Sequence, residues 1–146
     1  MSALLNGQRC ANRRGAGAIM RTKQYNVGFI SCEIGDDLII SFAIEGQDPI
    51  KIRSLTLLRT PKYEHLLFEG ERGVSASFEQ EDGNIPDEIN LLMEAIFSKK
   101  ERMIKIKTQF WIKELDLKRV DDADLDEMQR VFEIMNADRS FLYTQQ

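Results

Sequence analysis

Histidine, cysteine and long apolar runs are scarce in this chain, and each scarcity removes a class of function. His65 is the single histidine, so a histidine-centred nucleophile system has one position around which to form. The only suggestive serine context, Gly73-Val74-Ser75-Ala76-Ser77, lacks the second glycine of a nucleophile elbow. The two cysteines, Cys10 and Cys32, stand 22 positions apart without a C-x-x-C pair, which is neither a disulfide framework nor a zinc spacing. Cys32 alternates with Ile30 and Ile34 and reads as a small buried apolar residue, so a reducing, cytoplasmic setting is expected. No apolar run approaches the roughly 18–20 residues that cross a bilayer, and no membrane contact is expected. Phosphate-binding glycine loops are missing as well: Gly15 and Gly17 precede the first expected strand instead of following one, and no P-loop occurs.

What is present is an ordinary globular composition, 42% hydrophobic and 30% charged, in a length of 146 residues that suits one domain with a single core. The net charge of −4 conceals an asymmetry. Residues 1–24 hold five basic side chains and no acidic one, which leaves 15 basic against 24 acidic residues in the remainder, a net of −9. That acidic body argues against nucleic acid as a partner, because nucleic-acid surfaces work by neutralising phosphates. Residues 1–24 lack an apolar period and read as a flexible basic tail. A transit segment would need an amphipathic face and a secretory signal an unbroken apolar core; the other reading is a start at Met20.

Residues 25–143 read as one α+β domain. Alternation marks strands at 25–34, 38–45, 50–59, 63–69 and 74–80, joined by Gly-, Pro- and Asp-rich turns, which predicts an antiparallel meander. The organising stretch follows. Ile89, Leu92, Met93, Ile96 and Phe97 recur at helical spacing behind Pro86, predicting a helix over 86–98. Ile104, Ile106, Thr108, Phe110 and Ile112 then alternate with Lys105, Lys107, Gln109, Trp111 and Lys113, predicting one long strand with a dry face and a wet one. A last helix is expected over 124–137, capped by Asp121 or Asp122, with Leu125, Met128, Val131, Phe132 and Met135 as its stripe. The expected fold is therefore a twisted antiparallel sheet of about six strands with two helices on one face. Residues 38–44 and 55–58 are nearly continuous in apolar content, as though two faces needed cover, and two helices supply one.

The acidic run at Asp122, Asp124 and Asp126 has calcium-loop spacing to Glu133, but Glu127 stands where the loop needs glycine, so a capped helix is expected there. Glu79, Glu81 and Asp82 read as solvated turn carboxylates. No catalytic residue, metal or cofactor is expected.

The leading functional expectation is a non-catalytic intracellular protein-binding module of the inhibitor, immunity or chaperone-accessory kind, possible as a homodimer. Its partner surface is Trp111 with Lys105, Lys107 and Lys113, since an exposed Trp among charges is typical of a binding hot spot. One alternative is a carrier of a small apolar ligand in a curled sheet, with a pocket lined by Phe29, Ile40, Phe42 and Leu57. Another is an enzyme centred on His65, and a fourth is nucleic-acid stacking at Trp111.

Overall fold

The computed structural model describes residues 23–46, 52–79 and 88–146. A first run of strands, β1 (Lys23–Ile34), β2 (Leu38–Glu45), β3 (Ile52–Arg59) and β4 (Ser75–Phe78), pairs antiparallel in chain order, as the alternation and turns predict. A second run consists of β5 (Leu92–Ser98), β6 (Met103–Thr108) and β7 (Ile112–Asp116), followed by the helix α1 (Asp122–Met135) and the strand β8 (Leu142–Gln145). All eight strands join one mixed sheet in the order β8-β5-β6-β7-β1-β2-β3-β4, parallel at β1–β7 and at β5–β8.

This sheet bends until it meets itself. Ser75 of β4 bridges Leu91, just ahead of β5. There the Ala76 N–H donates to the Asn90 carbonyl at 2.7 Å and the Leu92 N–H to the Val74 carbonyl at 2.8 Å. β5 thus offers one edge twice, its first residues to β4 and Glu94–Phe97 to β8. Closing the ring pairs the backbone groups that an open edge would leave for another chain.

Closure also accounts for the apolar content of the central strands. Ile40 faces Leu57, Phe42 faces Leu55 and Ile104 faces Leu115 across the ladder, and all six are fully buried inside the ring. The outward row of the same strands is mixed, with Ser41 opposite Thr56 (Oγ to Oγ1, 3.4 Å) and Ile39 opposite Leu58, which stays 36% exposed. One face is dry and the sheet covers it by curling. α1 completes the cover over β1 and β2, burying the five-residue stripe that its sequence spacing predicts. Asp121 caps it by accepting from the Asp124 N–H at 3.0 Å. Phe132 of α1 then stacks on Tyr143 of β8, ring centroids 5.0 Å apart.

Three expected elements differ. Residues 92–98 form β5, not helix, while residues 80–87 lie outside the described residues, as do residues 1–22 of the expected tail. The helical spacing comes from a β-bulge: Leu92 pairs with Thr108 and Glu94 with Lys107, so Met93 is an extra residue, and the buried positions become Leu92, Ala95 and Phe97. The bulge breaks the two-residue alternation, so Leu92 and Phe97 of the helical stripe lie inside while Met93 is 49% exposed. Residues 63–69 are not a strand either. They belong to an exposed loop with short 3-10 helices at Pro61–Leu66 and Glu69–Glu71. Pro61 fits the first turn of that helix, and β3 takes β4 as its next partner, leaving the intervening segment no place in the ladder.

The expected long strand over 104–113 is two strands joined by a two-residue turn, Gln109-Phe110. The Thr108 N–H donates to the Trp111 carbonyl at 2.8 Å, and the Thr108 hydroxyl oxygen accepts from the Phe110 and Trp111 N–H groups at 3.2 and 3.1 Å. Because Thr108 and Trp111 become cross-strand neighbours, the phase of the alternation inverts at the turn. Ile104, Ile106 and Thr108 point inward from β6, and Trp111, Lys113 and Leu115 point inward from β7.

Candidate functional site

The phase inversion builds the site. On each of three strands the inward row is apolar in the depth of the ring and becomes cationic or aromatic at one mouth. β1 runs outward as Val27, Tyr25, Lys23; β7 as Leu115, Lys113, Trp111; β3 as Leu57, Leu55, Arg53. Phe78, at the end of β4, pairs with Leu55 and so enters the same space. Lys23, Arg53, Phe78, Trp111 and Lys113, with Phe110, Asn90 and Glu88, border a cleft of about 620 Å³.

Phe78 is the centre of the aromatic floor. Tyr25 lies 5.1 Å from it, tilted, and Trp111 lies 6.3 Å away, edge-on. The Lys113 ammonium sits above all three rings, at 4.3 Å from Phe78, 4.8 Å from Trp111 and 5.3 Å from Tyr25, while the Arg53 guanidinium is 5.2 Å from Phe78. Ring faces attract such cations electrostatically. They do not neutralise them. Among the described residues no carboxylate lies within ion-pair distance of Lys23, Arg53 or Lys113, whereas Arg59, Lys62, Arg102, Lys118 and Arg119 each have at least one. Burial, then repulsion from Lys23 and Arg53, holds the Lys113 ammonium below its ordinary pKa.

The four residues expected to form one partner surface are divided. Trp111 and Lys113 face the cleft, but Lys105 and Lys107 project from the outer face of β6, where their register partners include Glu114 and Glu94. The outer lysines have acidic neighbours; the inner ones have each other. The expected apolar pocket is not assembled either: Ile40, Phe42 and Leu57 are fully buried in the core, while Phe29 is 53% exposed on the other face of β1. His65 is exposed on the 3-10 loop, and its neighbour Glu64 is engaged elsewhere, accepting from the Arg59 guanidinium at 2.7 and 2.9 Å. No group of three or more His, Cys, Asp or Glu is placed to hold a metal among the described residues.

Lys23, Tyr25, Arg53 and Phe78 are site residues that sequence reasoning missed. A signal existed for Arg53, because stepping back by two from Leu57 and Leu55 reaches it. Lys23 had none, since its place depends on the parallel pairing of β1 with β7.

Comparison with protein-family models, with curated proteins and with solved structures finds no match for this chain. The fold and site define it as an α+β protein with a ring-closed mixed sheet, a helix over the dry face and a cationic, aromatic-floored cleft. No helix among the described residues is long and apolar enough to cross a membrane.

Proposed function

We propose that this chain works by binding, not by catalysis, and that its site is the cleft of Lys23, Arg53, Lys113 and Trp111, which takes an anionic ligand. The observation that carries this reading is the Lys23–Lys113 pair. They are register partners on adjacent strands, aimed into one space with Arg53 beside them. Like charges directly opposite one another destabilise a sheet. An anion bound between them would remove that cost, so the fold carries a strain that a ligand relieves. The test is thermal unfolding with pyrophosphate added at constant ionic strength. Wild type is expected to gain stability through preferential binding to the folded state, and an Arg53→Met, Lys113→Met double variant to gain none. Equal gains in both would defeat the proposal.

A second reading, a protein-binding module that pairs with another protein or with itself, is supported by a different surface. On the 3-10 loop Leu66 is 71% and Phe68 82% exposed, with Tyr63 and Leu67 beside them. Apolar groups gathered on one loop suit a protein contact. Light scattering across a concentration series would test self-association: a dimer lost on Leu66→Ser, Phe68→Ser substitution supports it, and a monomer throughout removes the homodimer.

A further inference from the structure

Anions differ in charge and shape, and the lining of the cleft bears on both. We infer that the cleft takes a small phosphate monoester that also bears a flat aromatic ring, namely a nucleoside monophosphate. This rests on the reading of the cleft as an anion site.

Charge is the first ground. Among the described residues, Lys23, Arg53 and Lys113 against Glu88 leave the lining with a net of +2. A phosphate monoester carries roughly −1.5 to −2 near pH 7, whereas a single carboxylate carries half as much or a little more. Arginine adds a forked donor set that matches two phosphate oxygens at once.

Shape is the second. Phe110 is 57% exposed at the rim, next to a half-buried Trp111, and both sit on the turn held by Thr108. The Asn90 carboxamide oxygen, itself in a buried residue, accepts from the Phe110 N–H at 3.3 Å and braces that turn further. A rigid aromatic platform beside cations is what stacks a base, at about 1–3 kcal/mol per base. The volume of about 620 Å³ falls in the usual range for one small molecule, roughly 300–1,000 Å³.

Confinement is the third. A nucleic-acid strand needs positive charge that continues along a track. Lys105 and Lys107 lie on the opposite face of the sheet, opposite Glu114 and Glu94 in register, so among the described residues they do not extend the positive lining of the cleft.

Trp111 is the only tryptophan, so its fluorescence reports on the cleft alone. The full chain would be titrated with AMP, GMP, ribose 5-phosphate, adenosine and an acidic peptide, with calorimetry beside fluorescence. At least one nucleotide is expected to bind ten-fold or more tighter than ribose 5-phosphate and than adenosine. Lys113→Met and Arg53→Met should each weaken it ten-fold or more, with circular dichroism verifying that both fold. Phe110→Ala should weaken the nucleotide while leaving ribose 5-phosphate unchanged. Equal affinity for nucleotide and ribose 5-phosphate would overturn the aromatic part and leave the anion site standing. Peptide binding that depends on Lys113, without nucleotide binding, would overturn the inference in favour of an acidic protein partner. No binding of any probe would overturn both the inference and the anion site beneath it.

Discussion

Lys113 stands directly across from Lys23 on parallel strands, and its ammonium rests 4.3 Å above the Phe78 ring. Two opposing effects meet in that arrangement: the rings attract the cation, and burial with two like charges disfavours it. The lowered pKa means the second effect wins. A base whose folded pKa is depressed costs the fold most while it is charged, below that pKa. The cost disappears as pH rises from the folded value toward the ordinary 10.5. At neutral pH, Lys113→Met is therefore expected to raise the urea midpoint of the unliganded protein, the reverse of the usual result for a half-buried contact. A lower midpoint would mean that the aromatic cage is a structural cation site.

Arg59 is the most fully engaged side chain in the molecule's described part. Only 7% exposed, it donates to both oxygens of Glu64, to both oxygens of Asp138, to the Met135 carbonyl and to the Ser140 hydroxyl. It ties β3, the 3-10 loop and the turn after α1 together. Arg59→Met is expected to cost about 3–5 kcal/mol by leaving Glu64 without its partner, and Arg59→Lys to recover only part, since an ammonium cannot fork onto two carboxylates. Urea unfolding at pH 7 checks both.

The same cluster predicts an acid transition. The hydrogen bonds from Arg59 hold the Asp138 carboxyl down at about 2, against an ordinary 3.8. A depressed acid contributes stability that is complete above its unfolded pKa and is lost as pH falls through the folded one. Stability measured by urea titration should fall between about pH 4 and pH 2 in wild type. That component should be missing from Asp138→Asn, whose stability at pH 7 starts lower. A wild-type profile parallel to that of the variant would refute the assignment.

The bulge at Met93 makes two single deletions inequivalent. Met93 is the extra residue and is 49% exposed, so removing it leaves Leu92, Ala95 and Phe97 facing inward on a regular strand. Removing Ile96 instead reverses the phase and turns the fully buried Phe97 out. The Met93 deletion is expected to fold with a modest loss, and the Ile96 deletion to lose about 3–5 kcal/mol or fail to fold. Circular dichroism with urea unfolding compares them.

Cys32 is half-buried beside α1, and burial, followed by the charges of Glu127 and Asp124, pushes its thiol up to about 12. Thiolate is the reactive form, so Cys32 is expected to be nearly inert at pH 7.5. In a Cys10→Ser background, iodoacetamide labelling followed by mass spectrometry should run far slower than that of glutathione. Matching rates would contradict the placement of this thiol.

Local chemistry determined much of this protein. The Asp121 cap and apolar stripe of α1, the antiparallel order of β1, β2 and β3, and the turn between β1 and β2 all follow from spacing along a few residues. Tertiary structure decided the rest, because those features depend on partners far along the chain. The bulge at Met93 is defined only against β6, the phase inversion at Gln109-Phe110 only by the pairing of Thr108 with Trp111, and the ring only by β4 reaching Leu91. Alternation states which residues share a face, but not which face is inside, and a two-residue turn exchanges the two. That exchange carries Trp111 and Lys113 away from Lys105 and Lys107 and sets them against Lys23, 90 positions earlier in the chain.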